Sequence, residues 1–162
     1  MPSRPLYTPE ELQRRDASPW TRVQAVLAPV QFAAFAVSVI LIGRYLATGD
    51  GFVPATASVI VKTFLLYAIM LTGSFWERDV YGRYLFAPAF FWEDVVSIGV
   101  LALHTAYLAA LLAGWLPPRG QMLLALAAYG TYLFNAGQYL VKFGSARRQR
   151  RAGGLGLSGA GS

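Results

Sequence analysis

Residues 84–118 read YLFAPAFFWEDVVSIGVLALHTAYLAALLAGWLPP. The stretch is long enough to cross a hydrocarbon core of about 30 Å as a single helix. Yet it carries Glu93 and Asp94 side by side near its start and the chain's only histidine, His104, further along. Charged groups in hydrocarbon cost several kcal/mol unless they are paired, hydrated or neutralised. The fold and the function both turn on how these three are accommodated.

The surrounding composition supports the membrane reading. The chain has 162 residues, 56% of them hydrophobic and only 14% charged, against roughly 25% charged in soluble domains. There is no cysteine, which removes disulfides and thiolate metal sites. The net charge of +6 would suggest nucleic acid in a soluble protein. Here the basic residues cluster beside apolar runs, which fits anionic lipid headgroups and argues against a nucleic-acid partner. The first apolar run follows a polar head containing Glu10, Glu11 and Asp16, with no small-residue cleavage site after it. The first span is therefore expected to remain in the mature protein.

Four spans are expected, at about 19–46, 55–76, 88–116 and 121–143, making an all-α integral membrane bundle of four transmembrane helices. Ser18, Pro19 and Trp20 open the first, with Pro29 a kink inside it. ATGDGFVP makes the turn to the second, and Pro117 and Pro118 stop the third. Arg4, Arg14, Arg15, Arg22, Arg78, Arg83, Lys142, Arg147, Arg148, Arg150 and Arg151 fall on one side, and only Arg44 and Arg119 on the other. Both termini are thus expected to be cytoplasmic. Residues 1–18 form the cytoplasmic N-terminal segment, with a short amphipathic helix capped by Thr8 and Glu11. Residues 19–143 form the membrane domain, and 144–162 a tail that is basic and then disordered. The tail's Gly154, Gly156 and Gly159 match a dinucleotide pattern only formally, since no strand precedes them. Lys62, inside the second span, is expected to snorkel outward.

Helical rise places Glu93 about 7–8 Å inside its helix, and Gln24 and Gln138 reach similar depths on the first and fourth spans. Glu77 and Asp79 lie just above this layer. Glu93 shares a stripe with Ser97, Val100, His104 and Tyr107, whereas Asp94 points about 100° away. The first stripe is the more polar and is assigned to the bundle interior. Bland readings stand beside this one: the carboxylates can sit at the headgroup level near a helix N-terminus. His104 can be a hydrogen-bonded packing residue, or an axial ligand to a tetrapyrrole metal.

LYTPEELQRRDASPWTRVQAVLAPVQF, ATASVIVKTF, YGRYLFAPAFFWEDVVSIGVLALHTAYLAALL and QMLLALAAYGTYLFNAGQYL together resemble the 3-vinyl bacteriochlorophyllide hydratase family of bacteriochlorophyll synthesis. The resemblance spans roughly residues 6–143 and is most specific in the block from Leu85 to Tyr107. It implies a multi-pass enzyme of the cytoplasmic or intracytoplasmic photosynthetic membrane. Its partners would be a chlorophyllide or bacteriochlorophyllide, lipids, and a second copy or neighbouring enzymes of the same synthesis. The reaction implied is hydration of the ring A vinyl group to 1-hydroxyethyl, with no cofactor.

Such an addition needs a proton for the terminal carbon, a held water and an acceptor for the water's proton. A carboxyl at a low-dielectric boundary suits the first role, and a better hydrated one the last. Glu93 is therefore expected as proton donor, with Asp94 or Glu77 as the water-positioning base. Gln138, Asn135 and Gln24 supply polar contacts, and Arg83 or Arg78 pairs with the pigment's propionate. His104 as ligand to the substrate's magnesium is in tension with its depth, about 16 Å beyond Glu93. Two non-catalytic readings stay open: a pigment-handling scaffold and an accessory subunit.

Overall fold

The computed structural model describes the backbone of residues 4–158 and side chains as far as residue 153. Among them are five helices: α1 (Pro9–Ala17), α2 (Pro19–Thr48), α3 (Phe52–Tyr81), α4 (Phe91–Ala113) and α5 (Pro118–Ser158). Three of these, α2, α3 and α4, are long and apolar enough to cross a membrane. Their faces turned away from the bundle carry exposed Val26, Phe32, Ile40, Phe64, Leu112 and others, a surface that only lipid or another apolar partner can cover.

Local chemistry sets the element ends. Thr8 accepts from the Glu11 N–H at 3.2 Å while the Glu11 carboxylate accepts from the Thr8 N–H at 2.8 Å, closing a capping box on α1. Ser18 caps α2 through the Trp20 N–H. Pro29 lies inside α2 and withholds an N–H from the Ala25 carbonyl. Gly49 and Gly51 take left-handed φ values of 78° and 85°, which turns the chain from α2 into α3 within three residues.

Two departures from the sequence reading concern boundaries. α4 begins at Phe91 and not near Pro88, because residues 82–90 fold as a loop in which Phe86 itself is left-handed at φ 62°. α5 does not end at Phe143 but continues through the basic segment to Ser158. The residues from Ala146 to Ala152 are alanine, arginine and glutamine, all good helix formers. Of the glycine-rich end expected to be disordered, Gly159 and the residues after it lie outside the described residues.

α2 packs extensively along α3, and α4 along α5, whereas contacts between these two hairpins are sparser. Ile42, Ala55, Val59, Tyr107, Met122, Ala125 and Tyr129 form the core at the end near the α2–α3 turn. Leu66, Val100 and Tyr132 continue it toward the middle. At the other end Phe90 is 1% exposed and is ringed by Trp76, Tyr81, Tyr139 and Phe143. α1 is tied down against that end by the Ser18 hydroxyl donating to Asp79 at 2.6 Å and by Tyr81 donating to the Leu6 carbonyl at 3.0 Å.

Ile42 is fully buried while Ile40, two residues earlier, is 70% exposed. Ile42→Ala should lower stability by about 2–5 kcal/mol through cavity formation, whereas Ile40→Ala should change it little. Thermal unfolding in detergent compares the two, and equal losses would contradict the assigned core.

Candidate active site

Three carboxyl groups converge where α3, α4 and the 82–90 loop meet. Glu93, Asp94 and Glu77 are all buried. Each is held differently. Glu93 makes an ion pair with Lys142 of α5 at 2.8 Å. Lys142 also donates to the Ala89 carbonyl and lies 5.1 Å from the Phe90 ring centroid. The Glu93 backbone carbonyl accepts from the Asn135 amide at 3.0 Å. Asn135 in turn accepts from the Ser97 hydroxyl at 3.0 Å and donates to the Gln138 side chain at 3.2 Å. Glu93, Asn135, Gln138 and Lys142 thus form one connected cluster across the α4–α5 seam.

Glu77 and Asp94 face the loop instead. Asp94 accepts from the Phe86 N–H at 2.8 Å and Glu77 from the Ala87 N–H at 2.6 Å. The Tyr139 hydroxyl also reaches Asp94 at 3.4 Å. Two consecutive backbone N–H groups are therefore gripped by two carboxyls at the one non-glycine residue, among those described, with positive φ. A left-handed aromatic residue costs on the order of 1–2 kcal/mol, and the hydrogen bonds that satisfy its own and the next N–H offset part of that cost.

A groove of about 1000 Å³ opens beside Glu93, at the upper end of the usual range for ligand sites. Its wall includes Pro88, Ala89, Leu133, Phe134, Gln138 and Lys142, with Arg4 and Glu11 from the N-terminal segment and Tyr81 from the end of α3. The apolar flank from Leu133, Phe134 and Val141 is exposed on the outer face of α5. Of Glu77, Glu93 and Asp94, only Glu93 lines this groove.

The remaining residues singled out by sequence lie elsewhere. Gln24 donates to Thr72 at 2.6 Å and to the Ile69 carbonyl at 3.2 Å, pinning α2 to α3 away from the groove. Arg78 lies over the Tyr84 ring at 5.0 Å, and Arg83 reaches the Phe86 carbonyl at 3.5 Å. His104 is fully buried in the bundle and does not line the groove. Lys142 was read from sequence only as a topology anchor. Its i, i+4 spacing from Gln138 places both on one face of α5, and that spacing is the signal that could have found it.

The loop grip has a measurable consequence. Asp94→Ala should free the Phe86 N–H, cost about 1–3 kcal/mol, and speed tryptic cleavage after the exposed Arg83. Asp94→Asn keeps an oxygen acceptor and should be milder. Unchanged cleavage in Asp94→Ala would contradict the role given to this carboxyl.

Comparison with known proteins shows the family of the chain. The family model for 2-vinyl bacteriochlorophyllide hydratase matches residues 7–145. A protein of Rhodobacter capsulatus named 2-vinyl bacteriochlorophyllide hydratase is 62% identical over 144 residues, covering 89% of this chain and 84% of its own length. One of the same name from Cereibacter sphaeroides is 60% identical over 152 residues, covering 93% and 94%. No solved structure matches the chain. The 2-vinyl and 3-vinyl wordings are equivalent. The match includes all of α1 to α4 and the carboxyl cluster with Lys142, and the chain belongs to the 2-vinyl bacteriochlorophyllide hydratase family.

Proposed function

We propose that this chain hydrates the ring A vinyl group of a chlorophyllide or bacteriochlorophyllide, with the pigment in the groove and Glu93 as the proton-transferring group. The family supports the reaction, since its relatives are named for it. The observation that carries the residue assignment is that Glu93, alone of the three clustered carboxyls, lines the groove.

The chemistry follows from the Glu93–Lys142 pair. Together the two groups hold one transferable proton. An apolar pigment seated beside them excludes water, and separated charges become costly there. The form with the proton on Glu93 then gains weight, which supplies a carboxylic acid beside the alkene. Glu93 gives its proton to the terminal vinyl carbon, and the macrocycle delocalises the positive charge left on the adjacent carbon. A water held by Gln138 and Lys142 forms the new C–O bond at that carbon and returns a proton to the Glu93 carboxylate. The addition consumes one water, leaves Glu93 as it began and transfers no electrons. Asn135 is a positioning residue through its bonds to Gln138 and the Glu93 backbone.

Glu77 and Asp94 take a different part from the base expected in the sequence. By holding Phe86 and Ala87 they set the loop leading into Pro88 and Ala89, which line the groove. Arg4, at the groove's rim, supplies the cation for the pigment's propionate in place of Arg78 and Arg83.

α5 is the fourth span in this reading. Its polar residues Tyr129, Tyr132 and Asn135 are buried against the other helices, while Leu123, Leu133, Phe134 and Leu140 are exposed. Inward-facing polar groups lower its mean hydropathy without exposing it to lipid. Both termini and the groove mouth then lie on the cytoplasmic side, where the arginines gather, and the pigment enters sideways from the bilayer.

Membranes carrying this chain, incubated anaerobically with chlorophyllide, should yield pigment heavier by one water with its red band at shorter wavelength. Glu93→Gln should lower turnover by about 10²-fold or more, and Lys142→Met should also lower it strongly. Turnover of Glu93→Gln within a few-fold of the parent would contradict the assignment. Unaltered pigment that co-purifies with the chain would favour the scaffold reading.

A further inference from the structure

Lys62 departs from its expected course. It does not snorkel to an interface but is fully buried in the middle of α3. Its ammonium lies 3.6 Å from the ring centroid of Tyr132 and 5.6 Å from that of Tyr129. The ion pairs among the described residues are Arg15–Asp16 and Lys142–Glu93, neither of which involves it. Its Nζ has no hydrogen-bond partner in the protein. The face of Tyr132 stabilises one side of the cation, which leaves the remaining N–H groups to be satisfied.

His104 approaches the same Tyr129 ring from α4. It too is fully buried, and its ring centroid lies 5.7 Å from that of Tyr129. Its Nδ1 is 2.8 Å from the Val100 carbonyl. A carbonyl can only accept, so the ring proton belongs on Nδ1 and Nε2 presents a lone pair. That Nε2 also has no protein partner. By contrast the Tyr129 hydroxyl is satisfied by Ser38 at 2.6 Å, and Ser38 by Ser58 at 2.8 Å. A donor from α3 and an acceptor from α4 thus flank one tyrosine of α5, both sealed from bulk solvent.

We propose that Lys62 and His104 bind an ordered water between them, an internal hydration site that bridges the two helix hairpins. The ligand must offer a lone pair to the ammonium and a proton to the imidazole. Water does both. A halide or carboxylate offers no proton to Nε2, and a metal cation is repelled by Lys62. The site lies about 16 Å along α4 from Glu93, outside the groove's lining. It spans the seam where direct contacts between hairpins are sparse, so the water ties α3 to α4 where few side chains do.

The sequence makes the test unambiguous, because His104 is the only histidine and Lys142 the only other lysine. The full chain in lipid bilayers, labelled with 15N at lysine and histidine, is examined by solid-state NMR with magnetisation transferred from water. Lys142→Arg identifies the Lys62 signal. Water magnetisation should reach Lys62 Nζ and His104 Nε2, and the transfer to His104 should fall several-fold in Lys62→Met. If that variant does not fold, His104→Gln should keep the transfer to Lys62 and His104→Leu should lose it. No transfer to either residue in the parent chain would overturn the proposal, as would transfer to His104 that is unchanged in Lys62→Met. A large shift of the His104 nitrogen on adding chlorophyllide would instead mark a ligand to the pigment's magnesium, and would overturn it equally.

Discussion

A buried carboxyl in the first turn of an apolar helix needs a partner, and Lys142 provides one to Glu93 across the α4–α5 seam. Much of the site's geometry follows from that pairing. It draws α5 against the start of α4, so that Asn135 and Gln138 come into register with Glu93 and Ser97. It also brings Lys142 onto Phe90 and the Ala89 carbonyl, which fixes where the 82–90 loop meets the bundle. A partly exposed ion pair contributes little by itself to stability. Its value here is one of position: it fixes Glu93 and Lys142 together at the edge of the groove.

The neighbouring carboxyls show how identical chemistry is put to different use by its surroundings. Asp94 follows Glu93 directly in sequence, but helical phase turns it to the loop, where Phe86 and Ala87 present two N–H groups. Glu77 arrives from the end of α3 to share that task. Two acidic residues thus hold the loop beside the groove, and only the third lines it. A loop held this way can keep Phe86 in a left-handed conformation that an unsupported loop would abandon.

Much of this was legible in the sequence. Apolar run lengths, Ser18 with Pro19, and the glycine turn at 49–51 marked the helices because their local chemistry admits few alternatives. Spacing along α4 grouped Glu93, Ser97 and His104 on a buried face, and they are buried there. What was not legible depended on which helix faces which. The depth of Gln24 matched that of Glu93, yet depth carries no azimuth, and Gln24 packs on Thr72 instead. Lys62 looked free to reach an interface, but Tyr132 of α5 captures its ammonium first. Lys142 looked like part of a basic tail because α5 was expected to end at Phe143, one residue beyond it. The helix carries on, and Lys142 belongs to its inward face.

The account stands or falls on where the pigment's vinyl group sits relative to Glu93. The most direct measurement is a structure of the chain in lipid with chlorophyllide bound, using the Glu93→Gln variant to hold the substrate unreacted. The account predicts the macrocycle in the groove between Pro88, Phe134 and Lys142, with the terminal vinyl carbon about 3–3.5 Å from the residue 93 side chain. A vinyl group lying against Asp94 and Glu77, or a pigment bound through His104 within the bundle, would contradict it.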